Sequence, residues 1–301
     1  MNNIKKKIPE LILGTANFGN IKYGLNKTRL NKNYVNKLIK NAIKKKINYF
    51  DTANSYKSEK NLSKERVRVF TKLLPIKENL IQKNKKTIEK IVTYSIKNSL
   101  KKLGTKSIFC IMLHRVDDIK ILDGYVVDVL KKFRKKKIIK HIGISVDKYK
   151  NIKEIVQNNA IEYIQLPINI YDNRWKIFLK KQYKENIKKK IFIARSIYLQ
   201  GLFSKKKWPL KIDKYKKKIL KINEFLIDNL KVSNIQELMF RYVKSFHQFN
   251  FILFGATKIA NINKNKKYLK TKNFTDKEIL LIEKNTKIIN QDFYNIIEWN
   301  K

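Results

Sequence analysis

Short runs of β-branched and apolar residues alternate along the chain with longer stretches in which apolar positions recur at helical spacing among lysines. The first pattern suits strands buried on both faces, and the second suits helices that bury one stripe and hydrate the other. The strands predicted are Leu11–Phe18, Tyr49–Ala53, Val67–Leu73, Ser107–His114, His141–Val146, Tyr163–Asn169, Ile191–Tyr198 and Phe251–Ala256. Helices are predicted over Tyr34–Lys45, Lys86–Lys102, Val126–Lys136, Lys150–Asn158 and Ser233–Phe246. Ser233 is the expected N-cap of the last, with Gln236 as its capping-box partner. This alternation predicts an α/β chain, a single-domain eight-stranded TIM barrel over residues 1–301, with an open doubly wound sheet as the alternative.

Two features favour the barrel. No G-x-G-x-x-G follows the first strand, so the dinucleotide fingerprint of an open Rossmann sheet is missing. Polar residues also gather at the C-terminal ends of the predicted strands: Asp51, Lys72, His114, Ser145, Asn169 and Thr257. In a parallel barrel those ends open on one face, where the chemistry of this architecture is placed.

Composition supports one domain, because 43% hydrophobic residues can fill a large core while Gly 8 and Pro 4 leave little for linkers. Charge raises another reading. Lys+Arg 70 against Asp+Glu 24 leaves a net +46, which suits a polyanion partner. The lysines, however, run through the whole sequence, as at Lys5–Lys7, Lys44–Lys46, Lys135–Lys137, Lys188–Lys190, Lys205–Lys207 and Lys216–Lys218. Abundant Ile and Asn accompany them, as an A/T-biased genome would write on permissive surfaces. No nucleic-acid-reading motif is present, and no specific nucleic-acid partner is expected.

Metal chemistry has little support: His114, His141 and His247 lie far apart in sequence, and Cys110 is the lone cysteine. A single cysteine needs no oxidising compartment. The apolar stretch Leu11–Leu13 is cut off by Gly14 and Thr15, too short for a signal peptide or a membrane span. The expectation is a cytoplasmic chain without a membrane partner, its oligomeric state open.

The richest segment is Phe50-Asp51-Thr52-Ala53-Asn54-Ser55-Tyr56, followed by Thr71-Lys72 and Leu113-His114-Arg115. In this order and at these strand ends they resemble the aldo/keto reductases, whose Asp, Tyr, Lys and His form a catalytic tetrad. The resemblance extends over essentially the whole chain, through Leu13-Gly14-Thr15, His141-Ile142-Gly143-Ile144-Ser145, Gln165-Leu166-Pro167-Ile168-Asn169, Arg195-Ser196-Ile197-Tyr198-Leu199-Gln200-Gly201-Leu202 and Phe254-Gly255-Ala256-Thr257 to Asn265. It implies an NAD(P)H-dependent oxidoreductase that reduces an aldehyde, ketone or sugar carbonyl, or runs the reverse oxidation. Tyr56 would be the general acid, Lys72 would lower its pKa, Asp51 would hold Lys72, and His114 would orient the carbonyl oxygen.

The same resemblance assigns Gly14, Thr15, Asp51, Ser145, Gln165, Arg195, Ser196, Gly255, Thr257, Lys258, Asn261 and Asn265 to the cofactor. Ser145 and Gln165 match positions that hold the nicotinamide carboxamide, and Asn265 matches one that contacts adenine. Thr257 and Lys258 stand where a helix N-terminus suits the adenosine phosphate. Val146 replaces a common Asn, Arg195 a common aromatic residue, and Asn261 a residue that is often basic when a 2′-phosphate is bound. NADPH or NADH is expected, NADPH slightly ahead. The segments from Gln165 to Trp175 and from Arg195 to Leu202 are similar to a bacterial branch often associated with sugar or surface-polysaccharide metabolism. Asn169, Asp172, Arg174 and Trp175 are the substrate candidates, with a loop anchor as the alternative reading of Asp172, Arg174 and Trp175. Two rival functions remain: a non-catalytic NAD(P)H-binding regulatory subunit and a polyanion-binding basic protein.

Overall fold

The computed structural model describes residues 8–19, 24–25, 30–76, 80, 84–147, 152–172, 174–175, 189–287, 293, 296 and 299. Eight strands close a barrel in sequence order: β1 (Glu10–Gly14), β2 (Tyr49–Asp51), β3 (Arg68–Lys72), β4 (Ile108–Leu113), β5 (Ile139–Ser145), β6 (Tyr163–Pro167), β7 (Ile191–Arg195) and β8 (Phe249–Gly255). Every neighbouring pair is parallel, including the closing pair β1 and β8. The open doubly wound sheet is therefore excluded.

Both faces of the strands are apolar because each face has a core to fill. Ile12, Tyr49, Phe70, Cys110, Met112, Tyr163, Ile193 and Phe251 pack together as one cluster. A second, larger cluster joins the strands to helices α1 (Lys32–Lys44), α2 (Lys85–Leu103), α3 (Tyr125–Lys135), α4 (Ile152–Gln157), α5 (Lys216–Asn229), α6 (Ile235–Lys244), α7 (Ile259–Leu269) and α8 (Asp276–Thr286). In α1 the buried residues are Val35, Leu38, Ile39 and Ala42, an i, i+3, i+4, i+7 stripe among exposed lysines. The α2 helix stops at Gly104, whose φ of 61° lets its amide reach the Leu100 and Lys101 carbonyls.

Several expected strands ran too far at their C-terminal ends. β1 stops at Gly14, where the sequence predicts a strand to Phe18, and residues Ala16–Phe18 form a 3-10 turn instead. β6 ends at Pro167 rather than Asn169, and β7 at Arg195 rather than Tyr198. Beyond β7 the backbone turns left-handed at Ser196 (φ 56°), which no strand can continue through. The cap of α6 is Asn234, not Ser233: its side chain accepts from the Glu237 amide at 3.0 Å, and Ser233 Oγ donates to the Glu237 carboxylate at 2.6 Å. Glu237 stands at the N3 position, but its carboxylate accepts from the Ser233 amide at 3.2 Å and not from the Asn234 amide, so the expected box with Gln236 does not form and Glu237 does not replace it. The expected helix over Lys150–Asn158 is seen from Ile152, and Lys150 lies outside the described residues. Among the described residues no helix is long and apolar enough to cross a membrane, and no cluster of His, Cys, Asp and Glu is placed to hold a metal ion.

Candidate active site

Because all strands point one way, Asp51 (end of β2), Lys72 (end of β3) and His114 (after β4) emerge on the same rim. Lys72 Nζ donates to both carboxylate oxygens of Asp51 at 2.8 Å and to the Thr52 carbonyl at 3.0 Å. Lys72 is 2% exposed and Asp51 4%, so each charge depends on the other for its compensation. Gln165 Nε2 reaches from β6 to Asp51 Oδ2 at 2.9 Å, which ties opposite sides of the barrel to one carboxylate.

Tyr56 follows β2 in a 3-10 turn, Asn54–Tyr56. The Lys72 ammonium lies 5.2 Å from the centre of its ring, and the His114 imidazole stands edge-on to it with centroids 6.3 Å apart. The turn is held from behind by Asn54, whose amide is fully hydrogen-bonded. Its Nδ2 donates to the Ser95 carbonyl and Ser99 Oγ, and its Oδ1 accepts from Asn98 and Lys102 of α2. From the front, Gly19 approaches so closely that an added Cβ would stand 1.8 Å from the Tyr56 carbonyl oxygen. A Gly19→Ala substitution must therefore push the turn away, and we expect about a hundredfold loss of kcat, measured beside the thermal melt, for a displacement near 1 Å at a reacting group.

Three features of this region gave no signal in the sequence. A buried chain of hydroxyls links Thr15 and Thr52 through Ser58, with both contacts at 2.9 Å. Glu59 is wholly buried and accepts from Thr71 Oγ1 at 2.7 Å, beside Lys72 in sequence. Asp147 takes the Arg195 guanidinium across the rim from β5 to β7, and Arg195 also donates to Ser196 Oγ at 3.2 Å and the Val146 carbonyl at 3.3 Å. Ser58 and Glu59 do stand two and three residues after Tyr56, but only packing shows what they hold.

The electrostatics set the protonation states of Tyr56 and His114. Burial raises the Tyr56 phenol well above its ordinary value, the Asp51 carboxylate raises it further, and Arg195 lowers it. His114 is pushed down to about 4, first by burial and then by the Lys72 charge, with Asp51 and the Leu73 backbone opposing and Arg195 adding to the fall. At neutral pH the pair is thus a protonated phenol and a neutral imidazole.

Other assigned residues divide. Ser145 and Gln165 are paired in register on β5 and β6, with Ser145 Oγ 3.4 Å from Gln165 Oε1. A hydroxyl donor beside an amide acceptor complements a primary carboxamide, so this donor set fits a nicotinamide. Gly14 and Gly255 face each other at the ends of β1 and β8, Gly255 and Lys258 are exposed, and Thr257 is half-buried beside them. Three of the assigned residues are engaged within the protein. Thr15 is fully buried, and its amide (2.8 Å) and hydroxyl (2.9 Å) both donate to the Asp51 carbonyl, so it holds the strand end rather than presenting a side chain. Asn265 is 3% exposed, accepting from Tyr198 OH at 2.7 Å and donating to the Asn261 carbonyl at 2.8 Å, which closes it to adenine in this arrangement. Asn261 turns its Oδ1 back onto the Thr257 and Lys258 amides at 3.3 and 3.0 Å, so a phosphate approaching them must displace it.

The substrate candidates are engaged with their own loop and the core. Asp172 is 1% exposed and takes Arg174 in a bidentate pair at 2.7 and 2.8 Å. Asn169 bridges to Asp172 along the backbone and turns its Oδ1 to the Tyr171 amide. Trp175 is wholly buried in the core and offers no indole face to a ligand.

Residues 10–287 match the aldo/keto reductase family. The chain belongs to that family. It is an aldo/keto reductase-type NAD(P)-dependent oxidoreductase, on the closed barrel expected of one. Among solved structures it is similar to the holo form of an aldo-keto reductase from Bacillus halodurans, with TM-score 0.73 and 21% identity over 92% of this chain and 91% of that one. A glycerol dehydrogenase from Gluconobacter oxydans is similar at TM-score 0.70 and 19% identity, over 91% of this chain and 90% of that one. No curated protein matches the sequence. At such identities the two solved structures support the barrel, while the family membership rests on the sequence match.

Proposed function

We propose that this reductase transfers hydride from NADPH, before NADH, to a small aldehyde, ketone or sugar carbonyl, or catalyses the reverse oxidation, with Tyr56 as the general acid. The observation that carries the reading is the convergence of Tyr56, His114 and the buried Lys72–Asp51 pair on one rim. The nicotinamide, when bound, supplies the hydride. Ser145 and Gln165 would hold its carboxamide, and exposed Lys258 is the support for a 2′-phosphate.

As the carbonyl carbon is reduced, negative charge develops on its oxygen. The neutral His114 imidazole donates a hydrogen bond to that oxygen, and the Tyr56 phenol delivers the proton. A phenol with a raised pKa stays protonated through the physiological range, which suits reduction and disfavours oxidation, where Tyr56 must first lose its proton. Lys72 and Asp51 position the phenol as a compensated pair, and Arg195 moderates its affinity for the proton. The sugar carbonyl enters through the likeness of the β6 and β7 segments to the polysaccharide-associated branch.

The deciding experiment follows oxidation of NADPH and NADH by absorbance against a panel of simple aldehydes, ketones and reducing sugars. Turnover of none of them, with both nucleotides binding, would favour the regulatory-subunit reading. The pH dependence is a second check. With His114 neutral above about 4 and Tyr56 protonated past the ordinary phenol range, kcat/KM for reduction should stay flat from about pH 5.5 to about 9. Oxidation should rise with pH across the same interval, and a bell-shaped reduction profile centred near neutrality would contradict these assignments.

A further inference from the structure

Lysines are spread over the chain, but carboxylates are not. From Leu11 to Phe50, and again from Leu238 to Thr275, the sequence holds no Asp or Glu. The barrel brings these two stretches together: β1 pairs with β8, and α1, which follows β1, packs against α7, which follows β8. The other helices each hold at least one acid: Glu89 in α2, Asp128 in α3, Glu154 in α4, Glu224 in α5, Glu237 in α6 and Glu278 in α8. Several of those acids are paired, as in Lys132–Glu89, Lys131–Asp128, Lys120–Glu154 and Arg241–Glu237.

We infer that the face formed by α1 and α7 docks the phosphodiester backbone of duplex nucleic acid, without regard to base sequence. Lys37, Lys40 and Lys44 are exposed along α1. Lys264 and Lys267 are exposed along α7, and Lys270 continues that row. Packed helices lie about 8–10 Å apart, so the two rows of exposed lysines belong to one continuous basic face. Their mutual repulsion is visible at half-buried Lys266, which is pushed down by burial and then by Lys270 and Lys46.

The exposed positions of the two helices hold only Lys, Asn and Ala. With no exposed aromatic residue there is nothing to stack on unpaired bases, which argues for a duplex over a single strand. With no exposed large apolar residue on either helix there is no anchor for a lipid surface, and the exposed apolar side chains, such as Tyr94, Phe225 and Leu280, lie on other helices. The site rim is built from other residues, so this inference stands apart from the carbonyl-reductase reading.

The test is fluorescence anisotropy of a labelled random-sequence DNA duplex titrated with the full chain, from about 50 to about 200 mM salt, where log K should fall with a slope near −0.9 per phosphate neutralised. A quadruple variant, Lys37→Gln, Lys40→Gln, Lys267→Gln and Lys270→Gln, should lose at least about tenfold in affinity and show a shallower salt slope. A control variant with the same charge change on α3, Lys131→Gln, Lys132→Gln, Lys135→Gln and Lys136→Gln, should lose less than about threefold. Equal losses in both variants would assign binding to the charge of the whole molecule and overturn the inference. Tighter binding to phosphatidylserine vesicles than to the duplex would overturn it as well. Because all eight positions are exposed, matching thermal melts confirm that both variants are folded.

Discussion

Tyr56→Phe should reduce carbonyl turnover by roughly 10²–10⁴-fold while leaving nucleotide affinity within about twofold. The substitution deletes one oxygen from a side chain that otherwise keeps its place between the Lys72 ammonium and the His114 ring. Ser145 and Gln165, proposed above to hold the carboxamide, lie on β5 and β6 and are untouched. Single-turnover kinetics beside quenching of tryptophan fluorescence by NADPH would separate the two effects. Turnover within about threefold of the parent would remove Tyr56 from the mechanism, because general acid catalysis from a positioned side chain is worth more than that. Loss of nucleotide binding together with turnover would assign Tyr56 to the cofactor pocket instead.

Lys72→Met should be the most destabilising single change in the site, at about 3–5 kcal/mol, because it strands the Asp51 carboxylate in a buried position. Gln165 Nε2 and the removed ammonium are the donors that reach its oxygens, and one amide cannot replace the lost charge. The double variant Asp51→Asn with Lys72→Met should recover most of that loss, since the buried charge leaves with its partner. Urea unfolding of both single variants and the double variant checks this. Simple addition of the two single costs would show that the pair is not coupled. The double variant should remain a poor catalyst even when stable, since the turn holding Tyr56 has lost the pair packed beneath its ring.

The barrel was legible because eight apolar runs at regular intervals have few ways to bury both faces, and a closed parallel sheet with helices outside is one that also accounts for the polar strand ends. Local chemistry near those ends was harder. The sequence pattern carried β1 on to Phe18 and β7 to Tyr198, because apolar residues continue there; Ala16–Phe18 continue as a 3-10 turn, and the chain after β7 turns at Ser196 ahead of the 3-10 segment Leu199–Ser204. The cap of α6 was misplaced by one residue because Ser233 and Asn234 are both good caps, and only backbone geometry selects between them.

Asp51, Tyr56, Lys72 and His114 could be found from their order along the chain, since each follows a run of strand residues. Their electrical states could not. Whether Lys72 lowers the Tyr56 phenol depends on how completely Asp51 neutralises it, a matter of two distances of 2.8 Å. Trp175 could equally have lined a sugar site, and its complete burial is a consequence of how the loop after β6 folds over the core.

The amino-acid order alone determined the architecture, because hydrophobic period and strand-end polarity are local properties, and its motifs carried the resemblance that pointed to the family and the rim residues. Closure of the sheet decided everything that depends on residues far apart in sequence meeting. It brought Gln165 to Asp51, Gly19 against Tyr56 and Arg195 to Asp147. It also set two acid-free stretches side by side as one lysine face, since β1 and β8 become neighbours only when the barrel closes.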